Sequence, residues 1–114
     1  MMHEMALIES MMEIALEEAR KADAARIARI VLDVGALSSV APEAMMFCFS
    51  AVSAGTAAEG AELVIERVEG AGWCPDCEKS ARLSERYDAC PYCGGYKVQI
   101  TEGGELRIRE MEVV

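Results

Sequence analysis

Two cysteine pairs with the same internal spacing constrain this chain more than anything else in it. Trp73-Cys74-Pro75-Asp76-Cys77 and Cys90-Pro91-Tyr92-Cys93-Gly94-Gly95 stand twelve residues apart. Each C-x-x-C turns tightly, so its two sulfurs face the same point, and four thiolates suit a tetrahedral ion at about 2.3 Å per Zn–S bond. The glycines after the second pair let the backbone bend past it without a Cβ clash. A segment of roughly thirty residues with few apolar side chains needs such a staple to fold. Structural Zn²⁺ is the first reading. A rubredoxin-like iron site would use the same four thiolates, and disulfides fit this spacing least. With all four positions taken by protein, the site has no opening for water, so it reads as structural rather than catalytic.

A length of 114 residues supports one modest domain with a small appended module. At 53% hydrophobic the chain can build a core. No apolar run approaches the roughly 20 residues that span a bilayer. The start, Met1-Met2-His3-Glu4, lacks the basic flank of a signal peptide. These features, with cysteines paired for metal, point to a soluble cytoplasmic protein that binds no membrane. The net charge of −9 argues against nucleic acid. Between Gly70 and Ile100 four basic residues (Lys79, Arg82, Arg86, Lys97) meet four acidic ones (Asp76, Glu78, Glu85, Asp88), so the cysteine module lacks a cationic footprint. Its aromatics, Trp73, Tyr87, Tyr92 and Tyr96, are expected to form its own small core.

Periodicity supplies the rest of the plan. From Glu4 to about Lys21, Ile8, Met12, Ala15 and Ala19 fall at helical spacing, widened by Met5, Met11 and Leu16. Early glutamates and late Arg20 and Lys21 suit the helix dipole, and Glu17 with Lys21 makes an i,i+4 pair. From Ala28 to Val34 the period becomes two, with Ala28, Ile30, Leu32 and Val34 on the more buried face of a strand. Pro42 fits the first turn of a second helix, which carries Met45, Met46, Phe47, Phe49 and Val52 and stops at Gly55. Thr56 to Glu59 has capping-box spacing and predicts a short extra turn. Ala61 to Glu66 alternates as a second strand, Glu69 to Gly72 reads as a flexible junction, and Gly103-Gly104 is a turn. Glu105 to Val113 forms a last strand that returns to the first domain. The expectation is an α+β domain of residues 1–70 plus 101–114 with the module 71–100 inserted.

Catalytic machinery is not assembled. Cys48 lies between two phenylalanines and reads as a buried inert thiol. The pairs Met11-Met12 and Met45-Met46 read as core packing. No nucleophile, base and orienter come together, so the chain is not expected to be an enzyme. The one histidine is different, because His3 sits beside the amino terminus. The α-amine of Met1, the amides of Met2 and His3 and the His3 ring offer four nitrogens. Consecutive donors close five-, five- and six-membered rings. A flat nitrogen set suits Ni²⁺ or Cu²⁺ rather than tetrahedral zinc.

Met2-His3-Glu4-Met5-Ala6-Leu7-Ile8-Glu9-Ser10 resembles the start of the HypA/HybF family, nickel-insertion accessory proteins of hydrogenase maturation. Val34-Gly35-Ala36-Leu37-Ser38, Gly55-Thr56-Ala57-Ala58-Glu59-Gly60-Ala61, the two knuckles and the closing Leu106-Arg107-Ile108-Arg109-Glu110-Met111 are similar in the same order. The resemblance implies two helices packed on a three-stranded sheet, with an inserted zinc-ribbon-like module. It matches the family's nickel histidine to His3, the neighbouring glutamate to Glu4, and the zinc cysteines to Cys74, Cys77, Cys90 and Cys93. It implies that Ni(II) is cargo passed to the hydrogenase large-subunit precursor, with a nickel-linked GTPase as partner and urease accessory proteins as further partners in some bacteria. In the family the histidine directly follows the initiator methionine; here one more methionine precedes it. Either the chain starts at Met2, or the amine moves back one residue and the four-nitrogen chelate forms. Both keep His3 as the side-chain ligand.

Overall fold

The structure, a computed structural model, describes residues 2–114. Its elements in chain order are α1 (Met2–Lys21), β1 (Ile27–Gly35), a 3-10 turn (Ala36–Ser38), α2 (Pro42–Ser53), β2 (Glu62–Val68), β3 (Gly70–Cys74), β4 (Lys79–Leu83), β5 (Gln99–Glu102) and β6 (Leu106–Val113). The strands form two sheets of three, ordered β2-β1-β6 and β4-β3-β5. All three strands of the second sheet lie between β2 and β6 in sequence, and β6 returns to pair beside β1. This is the α+β plan with an inserted module.

The chain divides into two compact units. One comprises Met1–Leu32, Val40–Glu66 and Arg107–Val114; the other comprises Asp33–Ser39 and Arg67–Leu106. In the first, α1 buries Ile8, Met11, Met12, Ala15 and Ala19, as its 3.6-residue period requires. Its core continues through Ile27, Ile30 and Leu32 of β1, Met45, Cys48 and Phe49 of α2, and Leu63 of β2. Pro42 occupies the first turn of α2, where its missing N–H costs nothing. The central strand β1 is buried on both faces from Ile30 onward, so Val31 and Asp33 are covered as well as the alternating set.

Several expectations need correction. Met46 does not pack in the core; it is exposed on α2 beside Phe47. A helix of period 3.6 buries Met45, Cys48 and Phe49 together, which turns positions 46 and 47 outward. The close ion pairs at the end of α1 are Glu17–Arg20 and Glu18–Lys21, both i,i+3, while Lys21 acts on Glu17 only through its charge. They lie in solvent and contribute little. The capping-box spacing after α2 is realised one residue out of place. The Glu59 carboxylate accepts from the Gly55 N–H at 3.2 Å, and the Thr56 hydroxyl accepts from the Ala58 N–H at 3.1 Å. These contacts close the short extra turn that the spacing predicts.

The expected flexible junction is a strand. Gly70 and Gly72 belong to β3 and pair with Leu83 and Ala81 of β4, and both are buried. A Cβ at Gly70 would lie 2.6 Å from Leu37, and one at Gly72 would lie 2.5 Å from Val98. These glycines are therefore required for close packing, not for mobility.

Candidate metal centres

The four knuckle cysteines converge in the second unit. Cys74 ends β3, Cys77 lies in the turn to β4, and Cys90 and Cys93 lie in the loop that leads to β5. All four sulfurs lie within 4.8 Å of one another. Cys74 Sγ is 3.6 Å from Cys93 Sγ, and Cys77 Sγ is 3.6 Å from Cys90 Sγ. Sulfurs at the corners of a tetrahedron with bonds of 2.3 Å lie about 3.8 Å apart, so these separations suit one enclosed ion. They are far beyond the roughly 2.05 Å of a disulfide, and all four thiols are free.

The knuckle backbones explain the convergence. The Gly94 N–H donates to the Cys90 carbonyl and the Cys90 N–H to the Gly95 carbonyl, each at 2.8 Å. The residue after each pair is left-handed: Gly94 at φ +74 and Glu78 at φ +53. Glycine takes this conformation freely, whereas glutamate accepts strain there. The glycine was readable from the sequence; the equivalent role of Glu78 was not, since glutamate carries no signal for it.

Backbone donors aim at the sulfur of Cys90. The N–H groups of Cys93 and Tyr92 pull its thiol down to about 7, against burial. Burial, followed by the neighbouring thiols of Cys74 and Cys90, pushes Cys77 up to about 12. Four thiols in so small a space cannot all ionise without a cation among them, which is the chemistry of a metal cluster. The four-cysteine cluster fits a structural zinc site. Cys74 and Cys90 are buried and Cys93 is exposed, so the site lies at the surface of its unit.

The aromatic side chains do not form the module's interior. Tyr87, Tyr92 and Tyr96 are 86%, 61% and 79% exposed, and Trp73 is 39% exposed. Gly70, Gly72, Cys74, Ala81, Leu83 and Cys90 fill the inside instead. Facing glycines and an alanine bring the strands and sulfurs too close to admit a ring. Lys79 lies 5.0 Å from the centre of the Tyr92 ring, a surface cation–π contact.

The second candidate centre is at the start of α1, in the first unit. His3 is exposed on the first turn. The α-amine of Met1, expected as a donor, lies outside the described residues. Glu4, one residue on, is only 7% exposed. Its Oε2 accepts the Ala41 N–H at 3.1 Å, and this donor, ahead of all other influences, holds its carboxyl below the usual glutamate range. The structure thus separates two neighbours that the sequence placed together: the imidazole faces solvent and the carboxylate turns in. A contact across 37 residues has no signature in either segment. Cys48 is completely buried, as expected of an inert thiol. Among the described residues, no helix is long and apolar enough to cross a membrane.

Comparison with known proteins gives one consistent answer. The family model for HypA, hydrogenase/urease nickel incorporation metallochaperones, matches residues 2–113. The hydrogenase maturation factor HypA of Rhizobium leguminosarum bv. viciae is 53% identical over 113 residues, covering 99% of this chain and 100% of the relative. Hydrogenase maturation factor HypA 2 of Bradyrhizobium diazoefficiens is also 53% identical, over 98% of this chain and 99% of its own. Among solved structures, that of the Ni metallochaperone HypA from Helicobacter pylori superposes with a TM-score of 0.69 at 25% identity, covering 97% of each chain.

Proposed function

The chain belongs to the HypA family of nickel-incorporation metallochaperones, and from that premise we propose that it binds Ni²⁺ at its amino-terminal edge and delivers it to the large-subunit precursor of a nickel–iron hydrogenase. His3 is the side-chain ligand, joined by the terminal amine and backbone amides, and Glu4 contributes through its backbone or through nearby contacts. Cys74, Cys77, Cys90 and Cys93 hold zinc, which closes the module of residues 71–100; residues 1–70 and 101–114 form the nickel-binding domain. The protein is a carrier without catalytic activity and acts in the cytoplasm. Its partners are the precursor and a nickel-linked GTPase, with urease accessory proteins where urease is also served.

The observation that carries this reading is the family match running through His3 to the end of β6. The site chemistry supports it. His3 is exposed at the very start of a helix, where the first N–H groups have no intrahelical acceptor. Those amides are available as nitrogen donors once they lose their protons. A five-membered chelate ring between successive backbone nitrogens needs ψ near zero, whereas a helix holds about −42°. Taking up the ion therefore rotates the backbone ahead of His3, upstream of the Glu4 side chain, and releasing it lets that rotation reverse. Proton loss on binding also means that acid weakens the complex, because protons compete for the same amides and imidazole.

Transfer tests the delivery role. Zinc-loaded chain carrying one nickel per protein is mixed with the purified large-subunit precursor and the GTPase partner, and precursor-bound nickel is measured after separation. The expected result is transfer from the native chain and none from His3→Ala. Equal nickel acquisition from free nickel salt, with no contribution from the chain, would contradict delivery.

A further inference from the structure

The turned-in carboxylate of Glu4 has a task that follows from the poor start of α2. The N-cap residue of that helix is Ala41, at φ −89 and ψ 119, and it has no side-chain oxygen to cap with. A capping box would place a carboxylate or amide three residues later to reach back to the N-cap N–H. Here that position is Ala44. Helix α2 thus lacks both halves of its own cap. The missing half arrives from another helix, since the Ala41 N–H donates to Glu4 Oε2 at 3.1 Å. A negative charge beside a helix N-terminus is favoured by the aligned peptide dipoles. Glu4 is buried beside exposed His3, as a side chain seated against protein would be.

We infer that Glu4 is a positioning residue that caps α2 in trans and thereby pins the first turn of α1, and the imidazole of His3, at the site where nickel is taken up. This rests on the proposed nickel role of His3 and deepens it. Terminal turns fray unless something ties them down. Here the tie is one residue from the proposed ligand. A tethered arm loses less conformational freedom on closing around an ion, so the tether raises nickel affinity without donating to the metal. Coupling is reciprocal: whatever the Glu4–Ala41 contact adds to nickel affinity, bound nickel adds to the contact.

The test uses the full-length zinc-loaded chain, with nickel titration, the nickel absorption spectrum and hydrogen exchange at the Ala41 amide as readouts. In Glu4→Ala, the Ala41 amide should exchange faster, and nickel affinity should fall by about tenfold, the cost of re-ordering roughly one residue of backbone. Glu4→Gln keeps an oxygen that can accept the same hydrogen bond. It should retain affinity within about twofold, a few tenths of a kcal/mol, with an unchanged spectrum and a protected Ala41 amide. The inference is overturned if Glu4→Ala binds nickel like the native chain. It is also overturned if Glu4→Gln is as weak as Glu4→Ala and shifts the spectrum, because the carboxylate would then be a ligand. His3→Ala separates the two levels of the argument. If that variant binds nickel normally, the parent reading of His3 fails, whatever the Ala41 amide reports about the cap.

Discussion

The two units of this chain are held together by different physics. The first buries long apolar side chains, among them Ile8, Met12, Ile30, Leu32, Met45 and Phe49, in a layer of helices and strands. The second has fewer to bury, Val34, Leu37 and Leu83 among them. Around these lie glycine, alanine and sulfur, and its large aromatic side chains face water. Apolar area at about 25 cal/mol per Å² can sustain the first. The second has less of it, and there an ion gripped by four thiolates adds what the side chains do not. Under the proposed function a carrier of one metal is built around another, and donor chemistry would keep the two apart: soft thiolates in a closed tetrahedron against nitrogen donors near the amino-terminal edge.

The largest effect that would break this comparison comes from zinc. Structural zinc contributes about 10–16 kcal/mol to small zinc-dependent folds. Removing zinc with a chelator, or replacing Cys90 with serine, should abolish amide protection across β3, β4 and β5 while the helical circular-dichroism signal persists. Simultaneous loss of both signals would show one cooperative core rather than two kinds of unit. Zinc uptake should also release protons and weaken on acidification, because the Cys77 thiol lies near 12 when metal-free and must be deprotonated to bind. Potentiometric titration during zinc addition measures this.

The converse substitution is Met45→Ala. Met45 is fully buried in the first unit, so the truncation should cost about 2–5 kcal/mol in denaturant unfolding. Zinc affinity should stay unchanged. A smaller effect is expected of Gly72→Ala, whose new Cβ would meet the Val98 side chain at 2.5 Å and the Gln99 carbonyl at 2.9 Å. About 1–3 kcal/mol of destabilisation is expected, confined to the zinc-bearing unit. Smallest of all, and opposite in sign, is Ala41→Ser. It supplies the side-chain oxygen that α2 lacks at a backbone conformation already suited to an N-cap, and it should stabilise the chain by about 1 kcal/mol. A rise in the thermal midpoint would check it.

What the sequence disclosed, and what it hid, follows from range. The helices, β1 and the knuckles are written in local patterns: a 3.6-residue stripe, strict alternation, and a repeated two-residue gap between cysteines. Those patterns yielded the α+β plan, the insertion and the four-sulfur cluster. Strand β3 was missed because Gly70 and Gly72 have no side chains to alternate; their meaning lies in Leu37 and Val98, which a Cβ would strike. The tyrosines were misplaced because hydrophobic character alone does not say how much room a thin module offers. The inward turn of Glu4 was unreadable because its partner is a backbone N–H 37 residues away. Sequence reasoning placed Glu4 beside His3 in the nickel site, contributing through its backbone or nearby contacts.

The central claim is that the two metals occupy separate sites, and one equilibrium titration addresses it most directly. Nickel is added to the zinc-loaded chain and to its His3→Ala variant while free zinc is monitored. The account predicts one nickel bound by the native chain with no zinc released, and that binding lost in the variant. Equal nickel affinity in the two proteins, or nickel uptake matched by zinc release, would contradict it.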